Sequence, residues 1–142
     1  MPTSHASAVW EGKLRDGQGS FHAGSGAFRG PYSFATRFEG KPGTNPEELI
    51  AAAHAACFSM ALAAGLERGG TPATRIETSA ACTIETVGGA PQITRMDLTV
   101  RGTVPGLDRA GFARAAEEAK RGCPVSKALA GIPTVTLDAQ LA

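Results

Sequence analysis

Thr44–Arg68, TNPEELIAAAHAACFSMALAAGLER, is the longest helix-forming stretch of this sequence and decides its fold. Asn45 suits the N-cap, Pro46 the first helical position, and Glu47 and Glu48 place negative charge in the first turn. Asn45 and Glu48 also have the spacing of a capping box, although Asn is not its usual first residue. The body is rich in Ala, Leu and Met with few β-branched residues, and Arg68 followed by Gly69-Gly70 closes it. The expectation is a helix of about 23 residues, about 35 Å long. Leu49, Ala53, Cys57, Met60 and Ala64 form one stripe, widened by Ile50, His54, Ala61 and Leu66. Between Leu49 and Leu66 only His54 and Ser59 are polar, which predicts a helix wrapped by other structure over most of its surface. A membrane span is disfavoured, because the apolar run is mostly alanine with His54 and Ser59 inside it.

A length of 142 residues fits one domain. Lys and Arg total 14 against 13 Asp and Glu, a net charge of +1, so no strong pull toward nucleic acid or membranes is implied. The opening MPTSHASAVW has no apolar leader region. Three widely spaced cysteines do not make a secreted disulfide framework. The expected location is the cytoplasm, where thiols stay reduced and a cysteine pair points to catalysis or metal binding.

Before the helix, residues 1–44 read as a three-stranded part. Its strands are Ala6–Leu14, Gly19–Gly24 and Tyr32–Phe38, separated by Asp16-Gly17 and by Gly24-Ser25-Gly26. In the third, Tyr32, Phe34, Thr36 and Phe38 alternate with Ser33, Ala35 and Arg37, which places Arg37 opposite the aromatic face. Residues 73–142 follow the helix of 45–68. Ala73–Thr86 alternates at Ile76, Thr78, Ala80, Cys82 and Ile84, and Val87–Pro91 reads as a hairpin turn. Gln92–Val104 is a less regular strand. Asp108–Arg121 is a helix with Asp108 as N-cap and Phe112, Ala115, Ala116 and Ala119 inward. A short helix, Val125–Leu129, and a strand, Pro133–Leu141, complete the chain. The order βββ-α-ββ-αα-β is an α+β pattern. Two three-stranded sheets with one very apolar helix give too little cover, so a C2 homodimer is expected.

Cys57 lies inside the apolar helix, one turn from His54. Read alone it is either core or a reactive thiol. Cys123 precedes Pro124, so it is an expected N-cap, where free amides and the helix dipole favour a thiolate. Cys82, in an alternating strand, reads as core. By spacing alone, Glu47 is a carboxylate that complements the helix dipole and Arg37 an exposed strand residue.

The run TRFEGKPGTNPEELIAAAHAACFSMAL (Thr36–Leu62), together with VPGLDRAGF, GCPVSKAL and AVWEGKL, resembles the osmotically inducible protein C (OsmC) family, which is related to the organic hydroperoxide resistance (Ohr) proteins. The likeness covers nearly the whole chain and lies closer to the OsmC branch. It implies the OsmC-like fold: two small, mostly antiparallel sheets around long central helices, in an intertwined homodimer with active sites shared between subunits. It implies a cofactor-free, metal-free peroxidase for organic hydroperoxides, and more weakly for hydrogen peroxide. Cys57 matches the attacking cysteine, Cys123 the resolving one, Glu47 the glutamate of NPE and Arg37 the arginine of TRFEG. Arg15, in Arg15-Asp16-Gly17, stands where the Ohr branch carries its arginine and is a second candidate. A lipoyl-type dithiol is the implied reductant.

Helix geometry adds a constraint. Glu47 and Cys57 are ten residues apart, about 15 Å along one helix and about 80° around it. They cannot share a site through their own helix unless something bridges that gap; two such helices, antiparallel about a two-fold axis, would place Glu47 of one chain near Cys57 of the other. Three other readings compete. A metal protein could use His54, Cys57, Cys82 and Cys123, although no close ligand pair such as CxxC is present. A Cys-His acyltransferase would use His54 to activate Cys57. A non-enzymatic dimeric small-molecule binder would use the groove beside the helices.

Overall fold

Ten elements make up the computed structural model, which describes residues 1–142. They are β1 (Ala6–Glu11), β2 (Gln18–Ala23), β3 (Arg29–Tyr32), α1 (Phe34–Phe38), α2 (Pro46–Arg68), β4 (Arg75–Val87), β5 (Ala90–Thr103), α3 (Arg109–Gly122), α4 (Pro124–Ala128) and β6 (Thr134–Leu141). The class is α+β with two three-stranded sheets. Contacts gather into two units, residues 1–49 and 50–142, with the boundary inside α2.

In the first unit, β1, β2 and β3 form an antiparallel meander in which Gly19 pairs with both Trp10 and Tyr32. The Trp10 and Tyr32 rings lie 5.6 Å apart, and Phe21 is 6.1 Å from Tyr32. A Cβ at position 19 would stand 2.5 Å from the Tyr32 ring, so a glycine lets the rings close over the strand.

The strand expected over Tyr32–Phe38 ends at Tyr32, and Arg37 lies on a helix instead. A local capping box overrides the alternating pattern. Ser33 Oγ accepts the Thr36 amide at 3.2 Å, and Thr36 Oγ1 accepts the Ser33 amide at 2.9 Å. Phe34 and Phe38, four residues apart, then meet on one helical face with ring centroids 5.0 Å apart. Asn45 caps α2 as expected, its Oδ1 accepting the Glu48 amide at 2.8 Å. Its Nδ2 donates to the Thr36 carbonyl at 3.1 Å, which ties the start of α2 to α1.

In the second unit, Gly88 and Gly89 turn the β4–β5 hairpin with φ of 60° and 84°, the double left-handed turn that matches strand twist. Register steps from Thr83↔Arg95 to Ile84↔Ile93, so Thr94 is the extra residue of a bulge in the less regular strand. Strand β6 lies parallel to β5 on its other side, and α3 and α4 supply the crossover a parallel pair needs. Met96, Leu98, Val100 and Gly102 of β5 are buried, and Thr99 and Arg101 between them are exposed. Asp108 caps α3 by accepting the Gly111 amide at 2.7 Å. Phe112 of α3 packs against Gly102, where a Cβ would come within 2.4 Å of its ring.

The α2 residues buried in the second unit are His54, Phe58, Leu62 and Leu66, a stripe with four-residue spacing. It is rotated from the stripe read off the sequence: Cys57 is half-buried, Ala53 is exposed, and Met60 is 75% exposed. A helix apolar on every side carries no signal for which side packs. Phe58, Leu62 and Leu66 join Leu98, Val100 and Phe112 in one core, each side chain contributing about 1.5–3 kcal/mol. Ser59 donates to the Ala55 carbonyl at 2.8 Å and accepts from Thr78 of β4 at 2.7 Å, which satisfies a hydroxyl inside the apolar run. Within the single chain, α2 is covered along one face. Helix α2 is long and apolar enough to cross a membrane by length and composition, but that face is committed to this core.

Candidate active site

The chemistry-bearing residues fall into two clusters, one in each unit. The first joins α1 to the first turn of α2. Arg37 Nη2 donates to Glu47 Oε1 at 2.8 Å, and Arg37 Nε donates to Oε1 and Oε2 at 3.1 and 3.3 Å. Glu47 is 5% exposed, so its carboxylate is oriented almost wholly by this pair and by the α2 N-terminus. The guanidinium also lies 5.1 Å from the Phe38 ring centroid. Trp10, Leu14, Tyr32, Phe34 and Phe38 line a mostly apolar hollow of about 230 Å³ beside Arg37. Arg15, the second candidate, stacks on Phe34 at 4.6 Å and takes no part in the Glu47 pair.

The second cluster joins α2 to α4. Cys57 is half-buried, Cys123 is fully buried at the α4 N-cap ahead of Pro124, and both are unbridged thiols. The two thiols lie close enough to perturb one another's ionisation. Burial pushes the Cys57 thiol up, the Val125 amide partly offsets this, and Cys123 adds to the rise. Burial also opposes ionisation of Cys123, yet the Ser126 amide, Cys57, the Ser126 hydroxyl and the Val125 amide together hold its pKa below the usual thiol range. Those amides act as dipoles aimed at sulfur, without a capping hydrogen bond of ordinary geometry. None of the groups acting on Cys57 is cationic.

His54 does not face Cys57 as a general base would. Its Nε2 lies 2.7 Å from Ser126 Oγ, and its buried Nδ1 has no partner. Burial lowers its pKa, so the ring is neutral. Sequence reading missed Ser126. The available signal was its place three residues after an N-cap, where a side chain reaches back toward the cap. Cys82 points to the core side of β4, with Ile76 and Ala80. No group of three His, Cys, Asp or Glu side chains is arranged to hold a metal ion.

This geometry has relatives. The OsmC-like protein family matches residues 38–138. Peroxiredoxin OsmC of Escherichia coli (strain K12) is 47% identical over 135 residues, covering 94% of this chain and 93% of that protein. The organic hydroperoxide resistance protein of Xanthomonas axonopodis pv. citri (strain 306) is 34% identical over 101 residues, covering 69% and 68%. The crystal structure of the organic hydroperoxide resistance protein OhrB of Bacillus subtilis superposes with a TM-score of 0.72 at 26% identity, covering 97% and 98% of the two chains. An OsmC-like protein from Mycoplasma pneumoniae reaches 0.76 at 13% identity over 99% and 98%, a likeness of fold alone. Similarity is thus stronger toward the OsmC branch, and the family match takes in Glu47, Cys57 and Cys123: this chain belongs to the OsmC-like protein family.

Proposed function

We propose that the protein is a soluble, cytoplasmic, thiol-dependent peroxidase that reduces organic hydroperoxides to alcohols, and hydrogen peroxide more weakly. The observation that carries this reading is the pair of free thiols, Cys57 of α2 and Cys123 at the start of α4, which act on one another's ionisation in one partly buried site. The names of the relatives, a peroxiredoxin and an organic hydroperoxide resistance protein, point the same way.

The Cys57 thiolate attacks the terminal peroxide oxygen. An S–O bond forms, the O–O bond breaks, and the departing alkoxide takes a proton to leave as alcohol. Cys57 becomes a sulfenic acid. Cys123 sulfur then attacks the Cys57 sulfur: an S–S bond forms, the S–OH bond breaks, and the hydroxyl leaves as water with the Cys123 proton. An external dithiol, of the lipoyl type that the family resemblance implies, returns two electrons by thiol–disulfide exchange.

Cys57 requires a cation to ionise near neutral pH, because its surroundings raise its pKa. Arg37, oriented by Glu47, is that cation in this reading, and its guanidinium also hydrogen-bonds the peroxide oxygens. The apolar hollow beside Arg37 suits the organic tail of the substrate. Glu47 and Cys57 stand ten residues apart on continuous α2, a rise of about 15 Å, so each site draws Arg37 and Glu47 from one subunit and the cysteines from the other. The exposed side of α2, with Ala52, Ala53, Ala56, Met60 and Ala63, offers the apolar surface for that homodimer.

Mass spectrometry after one equivalent of cumene hydroperoxide tests the scheme. Wild type should form a Cys57–Cys123 disulfide, Cys123→Ser should stop at sulfenic or overoxidised Cys57, and Cys57→Ser should not react. Three intact thiols in wild type would refute the peroxidase and favour a non-enzymatic binder.

A further inference from the structure

Asn45 uses both ends of its side-chain amide, one on each helix of the Arg37–Glu47 cluster. Its Oδ1 accepts the Glu48 amide of α2 at 2.8 Å, and its Nδ2 donates to the Thr36 carbonyl of α1 at 3.1 Å. Both partners are helix-end groups, which have no bond within their own helix. The preceding carbonyl of α1, that of Ala35, accepts the Glu39 and Lys41 amides at 3.1 and 3.2 Å, whereas the Thr36 carbonyl is taken by Asn45. Exchanging O and N of the side-chain amide would set donor against donor and acceptor against acceptor, so this orientation is the one that satisfies both contacts.

The Thr36 carbonyl belongs to the peptide unit whose N–H is that of Arg37. This N–H donates to the Ser33 carbonyl at 3.2 Å, so the planar unit from which Arg37 springs is held at both edges. The chain between the helices passes close to the same residue: a Cβ at Gly43, where φ is 147°, would stand 2.7 Å from Thr36 Cγ2. At the far end of the Arg37 side chain the guanidinium meets Glu47, two residues beyond Asn45 in the first turn of α2. Asn45 therefore couples the root of Arg37 to the helix turn that carries the carboxylate at its tip.

We propose that Asn45 is a positioning residue for Arg37: its amide clamps α1 to the first turn of α2 and so sets where the remaining edge of the guanidinium points. This rests on the peroxidase reading above, in which Arg37 favours the Cys57 thiolate and hydrogen-bonds the peroxide oxygens, and deepens it. A capping role alone does not require an amide, because Ser and Asp supply the same acceptor at a helix start. The donor to Thr36 is what Asn adds. Ionised Asp has no proton to donate, and a Ser hydroxyl is one atom shorter than the amide.

The test keeps the cap and removes the donor. Heteronuclear NMR follows exchange of the Arg37 Nε–H proton with water, the signal being assigned by its loss in Arg37→Lys. In Asn45→Ser and Asn45→Asp this exchange should be about 10-fold faster than in wild type, because the bond to Glu47 opens more often. The kcat/KM for cumene hydroperoxide should fall about 10-fold in the same variants, through misplacement of the guanidinium. A purely capping Asn45 predicts wild-type exchange in both variants, and that result overturns the proposal. Faster exchange in an enzyme whose kcat/KM is undiminished overturns it equally. Should wild type fail to turn over any peroxide, the peroxidase reading falls, while the exchange rate still decides the clamp.

Discussion

The Arg37 guanidinium engages the Glu47 carboxylate through both Nε and Nη2, across two helices and with the carboxylate buried. A fork with two donors fixes the plane of the guanidinium as well as its position. One edge of Arg37 remains for other partners, and its side chain is 36% exposed. Glu47→Gln removes the charge and one acceptor, and should lower kcat/KM for cumene hydroperoxide about 100-fold through misplacement of Arg37. The stability cost should be about 1–2 kcal/mol, because partial exposure of Arg37 screens the pair. Arg37→Lys should not preserve activity, since an ammonium cannot reproduce the fork. Steady-state kinetics and thermal melts of the variants check both statements.

Arg37 reaches Glu47 only because α1 is a helix. Ser33→Ala deletes one half of the capping box and should cost about 1 kcal/mol. If α1 is what delivers the guanidinium, the activity loss should exceed what the drop in stability accounts for at assay temperature. A variant less stable by this amount but fully active would separate the cap from the site.

Acid stability follows from His54. Its folded pKa lies below the unfolded value of 6.5 because burial disfavours the cation. The unfolded chain therefore binds the proton first, and stability present above about pH 6.5 is lost as pH falls toward the folded pKa, with a slope of at most about 1.4 kcal/mol per pH unit. Below that window Asp97 takes over: hydrogen bonds from Arg95 and Thr136 depress its pKa, so its contribution disappears only as pH drops through the carboxylate range. Thermal melts between pH 5 and 7 should show the slope in wild type and a flatter profile in His54→Gln.

The proposal that each site takes Arg37 from one subunit and Cys57 from the other makes a prediction about mixtures. Cys57→Ser and Arg37→Ala should each be inactive alone. Refolded together in equal amounts, half of the dimers are mixed, and each mixed dimer has one complete site out of two, so about a quarter of wild-type activity should return. Sites built within one chain would give none.

The outward side of α2 should be the seat of that association. Met60 is 75% exposed in the single subunit. Met60→Lys should shift the sedimenting species from dimer to monomer and remove activity, without unfolding the second unit. A dimer of unchanged stability would place the interface elsewhere.

Local chemistry was legible in the sequence wherever neighbouring residues decide the outcome. Asn45, Pro46 and Gly69 bound α2, Asp108 starts α3, Gly88-Gly89 turns the hairpin, and alternation marks β4 and β6. Both cysteines, Glu47 and Arg37 were readable as candidates because a resemblance spans the chain. Tertiary structure decided the remainder. The Tyr32–Phe38 pattern fits a strand by period, but the Ser33–Thr36 cap makes its second part helical. The packing face of α2 could not be read, since an alanine-rich helix is apolar all round until the β4–β5 sheet selects one side. Arg37 on Glu47, the joining of Cys57 to Cys123, and His54 on Ser126 link residues far apart in the chain or on separate elements. No local spacing rule constrains such pairs. The first forms where Asn45 ties the start of α2 to α1; the other two form because burying the α2 face and closing the crossover through α3 and α4 bring α4 against α2, and a buried polar group there must find a partner.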